Sequence, residues 1–174
     1  MVRAYNDTFY SGRLMLSAPI VAFVGCSNSG KTTFLEMLIP ELKSRGYRIA
    51  AVKHVPGHSV NLSQRDSDKL LASGSDAVVI NSPEQSVLFF PQKHESSLDH
   101  IAHQLGDSYD IVLAEGFKTA EVAKILFIRS GAGETPTNLS RIAAVISDEP
   151  VSVKGRLFGS KDIIQFADFL EQGF

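Results

Sequence analysis

The stretch Gly25-Cys26-Ser27-Asn28-Ser29-Gly30-Lys31-Thr32 constrains this chain more than any other, because it is a complete G-x-x-x-x-G-K-[ST] phosphate-binding loop. Gly25 and Gly30, with Ser27, Asn28 and Ser29 between them, let successive backbone N–H groups curl around an anion. Lys31 reaches the outer phosphates, and the Thr32 hydroxyl suits Mg²⁺, which prefers oxygen ligands. Thr33 either satisfies an orphan N–H or touches the α-phosphate. Context supports the loop. Ile20-Val21-Ala22-Phe23-Val24 reads as a buried strand, and Leu35, Leu38, Ile39 and Leu42 recur at helical spacing after it. Strand, glycine loop and helix together aim a positive helix N-terminus at a phosphate.

A length of 174 residues suits one domain with a real core. The expected division is an extension over 1–18 followed by a single nucleotide-binding domain over 19–174. A formal net charge of −2 leaves no electrostatic footprint for nucleic acid or an anionic membrane. The single cysteine excludes an intrachain disulfide framework and fits a reducing compartment. Cys26 itself reads as a small residue that fits the turn rather than as a redox switch. Arg13 and the uncharged run 14–24 imitate a secretory signal, but Asp7 lies in what would be its basic part, and cleavage at Cys26 would destroy the loop. The chain is therefore read as cytoplasmic and not membrane-bound.

Further along, strands are predicted over 47–52, 77–80, 86–90, 110–114, 124–128 and 142–146, and helices over 66–72, 97–105 and 161–171. Pro40 should remove one backbone bond from the first helix. The segments 56–64 and 151–159 read as irregular. Apolar strands without alternation, several of them alternating with helices, predict an α/β, three-layer P-loop NTPase-like fold with a mostly parallel central sheet. Ligands gather at the carboxyl ends of such strands. Lys53-His54, Glu115, Arg129 and Asp148 all follow predicted strands, so parallel strands would bring them to one rim with the loop.

The chemistry of each candidate follows from its type. Lys31 and Glu115 are the candidate catalytic residues, and Thr32, Glu115 and Asp66 the candidate Mg²⁺ ligands. Asp66 also suits the N-cap of its helix. Lys53, His54, Lys118 and Arg129 are candidate anion contacts or solvated surface charges. Asp148 can accept from N1–H and the 2-amino group of guanine, where adenine presents an acceptor; Ser147-Asp148-Glu149-Pro150 also reads as an ordinary turn. His100 and His103 fall on the wet side of their helix, and Phe89, Phe90, Phe127 and Phe166 read as core.

These residues resemble the molybdopterin-guanine dinucleotide biosynthesis protein B (MobB) family. The likeness rests on Ser27-Asn28-Ser29-Gly30-Lys31-Thr32-Thr33, Leu38-Ile39-Pro40, Lys53-His54, Asp66-Ser67 and Glu115-Gly116-Phe117-Lys118. Lys124-Ile125, Arg129-Ser130-Gly131-Ala132-Gly133, Ser147-Asp148 and Ala167-Asp168-Phe169-Leu170 continue it, over residues 19–171. Where the family clusters histidines after Lys-His, this chain has Val55-Pro56-Gly57-His58. The resemblance implies a homodimeric GTP-binding protein with weak Mg²⁺-dependent GTPase activity. It would assist a separate guanylyltransferase in joining GMP to molybdopterin, or serve a molybdoenzyme that receives the cofactor. The rivals are a nucleotide-binding adaptor without turnover and an ATP-dependent small-molecule kinase or ligase.

Overall fold

The computed structural model describes residues 18–57, 65–89, 95–153 and 155–173; the side chains of Arg65, Asp66, Asp68 and Asp107 lie outside that description. Residues 1–17 of the expected 1–18 extension, residues 58–64 of the expected 56–64 loop (His58 among them) and Phe90 therefore lie outside the described residues. Two compact units make up the chain, one joining Met1–Val55 to Leu98–Phe174 and the other spanning Pro56–Ser97.

In the larger unit, β1 (Ile20–Gly25) leads through the glycine loop into α1 (Lys31–Ser44) and then β2 (Ile49–Lys53). In the smaller unit, α2 (Arg65–Ala72) precedes the antiparallel hairpin β3 (Val78–Asn81) and β4 (Ser86–Phe89), in which Val79 faces Leu88. The larger unit resumes with α3 (Leu98–Leu105), β5 (Ile111–Glu115), β6 (Ala123–Phe127), β7 (Ile142–Ile146), β8 (Arg156–Phe158) and α4 (Ile163–Gln172).

Its six strands form one sheet in the order β2-β5-β1-β6-β7-β8, and every neighbouring pair is parallel. Sheets of this kind are covered on both faces, and alternation along β1 shows both being used. Val21 and Phe23 point into a core formed with α1 and α4, where Phe34 meets Phe127 and Phe166 edge-to-face at 5.4 and 5.1 Å between ring centres. Ala22 and Val24 point the other way, onto Leu98 and Ile101 of α3 and onto Phe117, Val122, Leu139, Val151 and Val153 from extended connections. Arg45 at the end of α1 clasps α4 through Asp168 at 2.7 Å and Glu171 at 2.9 Å.

The apolar stripes behave as their spacing predicts. Leu35, Leu38 and Leu42 of α1, Leu98 and Ala102 of α3, and Phe166, Ala167 and Leu170 of α4 are buried, while His100 and His103 are exposed. Phe127 and Phe166 are core. The segment over 151–159 differs from expectation, because β8 lies within it. Three residues carry no readable period; pairing of Val145 with Leu157 and Ile146 with Phe158, and burial of Phe158 against Phe166, make the strand.

Candidate functional site

Register places the site. Gly25, Phe127, Ile146 and Phe158 stand in one row across β1, β6, β7 and β8. Phe23, Glu115 and Lys53 stand in another across β1, β5 and β2. The carboxyl ends of all six strands therefore form one rim, from which the phosphate loop, the connection after β5 and the turns after β6, β7 and β8 rise.

The loop is shaped by close approach. A Cβ on Gly25 would lie 2.8 Å from the Phe127 carbonyl oxygen and 2.9 Å from Ser29 Oγ, so no larger residue fits there. Ser29 is buried, whereas Ser27, Asn28, Thr32 and Thr33 face solvent. The Cys26 thiol donates to the Glu134 carbonyl, which agrees with a residue fitted into a turn. Gly30 is the N-cap of α1, with no side-chain cap and no acidic residue in the first turn. The N–H groups of that first turn thus remain available to an anion, as a phosphate cradle requires.

Lys31 folds back over this cradle. Its ammonium donates to the Cys26 carbonyl at 2.5 Å and to Ser29 Oγ at 3.2 Å. Burial pushes its pKa below the ordinary lysine value; the Glu115 carboxylate opposes that shift, and the Lys118 and Lys53 charges add to it. A bound polyanion would offer the ammonium a better partner than the loop carbonyl.

Glu115 closes the other side. Its Oε2 accepts from Thr32 Oγ1 at 2.8 Å, and both its oxygens lie 3.3 Å from Lys53 Nζ. A hydroxyl and a carboxylate in contact beside a phosphate loop form an all-oxygen donor set that fits Mg²⁺, with water and phosphate oxygens completing the shell. Asp66 lies in α2 of the other unit, and its side chain is not described.

His54 stacks on Phe117 with ring centres 4.8 Å apart, and its backbone N–H donates to the Glu115 carbonyl at 2.9 Å. This packing fixes the backbone that carries Glu115. Gly116 takes φ +99°, and a Cβ there would lie 2.8 Å from His54 Cβ. Lys118 is exposed just beyond, and Arg129 is exposed after β6.

Some residues acquire roles that no motif announced. Lys124 of β6 is fully buried, and its ammonium donates to the Ala120 carbonyl at 2.5 Å and the Ser140 carbonyl at 3.2 Å. It thereby staples together two connections that flank an open groove of about 420 Å³, lined among others by Lys118, Thr119, Thr137 and Asn138. Across the rim, Glu149 accepts from Ser130 N–H and Oγ, and Asp148 accepts from Ser160 N–H at 2.6 Å. Only the tertiary structure brings these turns together; the sequence marked them by strand-end position and by the resemblance at Arg129-Ser130 and Ser147-Asp148, without pairing them.

An all-parallel sheet with a glycine loop leading from β1 into α1 defines the P-loop NTPase-like class of α/β folds. A model of the family "Molybdopterin guanine dinucleotide synthesis protein B" matches residues 20–148. The molybdopterin-guanine dinucleotide biosynthesis adapter protein of Escherichia coli is 34% identical over 92% of this chain and 94% of its own length. The adapter protein of the same name from Haemophilus influenzae is 33% identical over 88% of each. A crystal structure of molybdopterin-guanine biosynthesis protein B superposes with a TM-score of 0.67 at 31% identity, covering 88% of this chain and 97% of that one. The chain belongs to the molybdopterin guanine dinucleotide synthesis protein B (MobB) family.

Proposed function

We propose that this protein is a GTP-binding adapter in molybdopterin guanine dinucleotide biosynthesis, with slow Mg²⁺-dependent GTP hydrolysis. The contact between Thr32 Oγ1 and Glu115 at the mouth of the phosphate loop carries the reading, since it puts a hydroxyl and a carboxylate where a nucleotide-bound Mg²⁺ would sit. The uncapped first turn of α1 and Lys31 would hold the phosphates, with Lys53 and Lys118 adding positive charge at the outer phosphate. Mg²⁺, when bound, supplies charge neutralisation on the phosphate oxygens. Glu115 is engaged by Thr32 and Lys53, which favours a metal-ligand role over that of a base for water and accounts for slow turnover. The names of the relatives support the adapter role. The partner in this reading is a guanylyltransferase or a cofactor-receiving molybdoenzyme, and the protein works as a cytoplasmic homodimer. Among the described residues no helix is long and apolar enough to cross a membrane.

Calorimetric titration of GTP, GDP and ATP with Mg²⁺ onto wild type and Lys31→Ala tests the proposal. GTP should bind in preference to ATP and lose most of its affinity in the variant, and the slow hydrolysis should disappear with it. ATP preference would redirect the reading to a kinase or ligase. Hydrolysis unchanged in Lys31→Ala would leave a nucleotide-binding adaptor without chemistry.

A further inference from the structure

Among the described residues, the buried ammonium of Lys124 bonds only to neutral oxygens. It donates to the carbonyls of Ala120, Val122 and Ser140 and to Ser140 Oγ, and the side chain is fully buried. Neutral oxygens satisfy the N–H groups without cancelling the charge. In surroundings poor in water that charge is little screened, so it acts on whatever lies nearby. The nearest carboxylate is already engaged. Glu121 accepts from Ser140 Oγ at 3.2 Å and from Arg141 Nε at 3.2 Å.

What lies nearby is the open groove of about 420 Å³, a size within the range of small-molecule sites. Its walls are the connections that lead into β6 and β7, whose Phe117, Val122 and Leu139 pack on the sheet face carrying Ala22 and Leu126. Pro136 and Leu139 give it a half-buried apolar side, and Thr119, Thr137 and Asn138 give it exposed hydroxyl and amide groups. Lys118, Lys124 and Arg141 border it against the one carboxylate of Glu121, in a chain whose formal net charge is −2. Positive charge is therefore concentrated here rather than spread over the surface. Lys118 follows β5 by three residues, and its charge acts on Lys31, which puts that end of the groove on the side of the phosphate loop.

We propose that this groove is a second ligand site, distinct from the phosphate loop, that takes a small phosphate monoester. Lys118 and the buried Lys124 attract the phosphate, Pro136 and Leu139 pack against the body of the ligand, and Thr119, Thr137 and Asn138 bond its polar groups. A phosphate monoester carries a charge of about −1.5 to −2 at neutral pH, so two ammonium groups favour it over a carboxylate or a sulfate ester of the same shape. The proposal goes beyond the nucleotide reading and does not rest on it.

Amide NMR titrations with phenyl phosphate and phenyl sulfate, two probes alike in shape and different in charge, test the site. They are run on full-length Lys31→Ala, in which the lysine of the phosphate loop is gone. Phenyl phosphate should shift the amides of 118–121 and 137–140 to saturation and bind roughly 5- to 10-fold more tightly than phenyl sulfate. Adding Thr137→Glu, which sets a carboxylate in the groove, should weaken phenyl phosphate roughly 10-fold, while the same change in wild type leaves GTP binding as it was. Adding Lys124→Met should narrow the gap between the probes, whereas a groove that had merely loosened would weaken both alike. Shifts confined to 25–33, or none that saturate in the groove, would overturn the site. Equal affinity for the two probes, or a ratio unmoved by Lys124→Met, would overturn the charge argument, and phenyl phosphate binding undiminished by Thr137→Glu would place the ligand elsewhere. Saturation in the groove by a protein that binds no GTP would remove the nucleotide reading and leave this site standing.

Discussion

Exchanging Glu115 for Gln separates a metal site from a structural contact, because the two roles predict effects of different size. Gln keeps the shape, and its amide oxygen can still accept from Thr32 Oγ1, so the 2.8 Å bond survives. What disappears is the charge facing Lys53, whose side chain is 60% exposed. An ion pair this exposed contributes about 0.2–1 kcal/mol. The nucleotide-free protein should therefore lose no more than about 1 kcal/mol, roughly 2–4 °C in Tm for a chain of this size. The effect on metal should be larger. Weakening one of the protein's two oxygen ligands should reduce Mg²⁺-dependent GTP affinity about 10- to 100-fold, equivalent to about 1.4–2.8 kcal/mol. Without Mg²⁺ the sign should reverse, because a negative charge facing the phosphates has been removed and Lys53 released. Thermal unfolding without nucleotide and calorimetry with and without Mg²⁺ measure all three quantities. A variant with the small loss in Tm and unchanged Mg²⁺ dependence would refute the metal assignment and leave Glu115 as a strand-end contact.

Lys124→Met should lose about 1–2 kcal/mol, because two charge-assisted bonds to carbonyls contribute about 1.5–3 kcal/mol each while burial of the ammonium costs several kcal/mol in return; equilibrium denaturation and faster amide exchange in 118–122 and 136–141 check this. Burial holds the native pKa of Lys124 below the ordinary lysine value. Between that native value and about 10.4 for the unfolded chain, the unfolded state keeps a proton that the native state has released, so wild-type stability gains with rising pH and its margin over the variant should widen in that window. Gly116→Ala meets His54 Cβ at 2.8 Å in a backbone of φ +99°. It should cost at least about 1–2 kcal/mol and weaken Mg²⁺-dependent GTP binding by tilting Glu115, whereas undisturbed binding would show that the His54 stack does not position the carboxylate. The Asp148 carboxyl is held below its ordinary value first by a hydrogen bond from the Ser160 side chain and then by the Ser160 N–H, with Lys161 and Arg129 adding to the effect. Its stabilisation is complete above the unfolded carboxyl value and is lost as pH falls through the native one, so the stability difference between wild type and Asp148→Asn should vanish in acid.

The phosphate loop, β1 and the buried stripe of α1 were legible because each is specified by neighbours in sequence. Gly25 is demanded by a backbone that leaves no room for Cβ and Gly30 by its φ of +94°, apolar residues recur at the helical period, and Lys31 and Thr32 follow at fixed spacing. Placement of Glu115 on the loop rim was legible conditionally. A strand-end carboxylate reaches the phosphates only if its strand runs parallel to β1, and the register of Phe23 with Glu115 meets that condition. By contrast, β8 left no period to read, since three residues become a strand only when β7 offers a partner edge and Phe166 covers Phe158.

Local chemistry thus determined the kind of site, a phosphate cradle with a lysine and an oxygen ligand, since each of those properties belongs to one short segment. Tertiary structure decided what lies around it. Lys53 meets Glu115 across 62 positions of sequence, Lys124 meets Ser140 across 16, and Asp148 meets Ser160 across 12. None of these pairs shares a repeat or a motif spacing. Each depends on which strands lie side by side, and strand order is set by burying both faces of the sheet at once, a property of the whole chain and not of any segment within it.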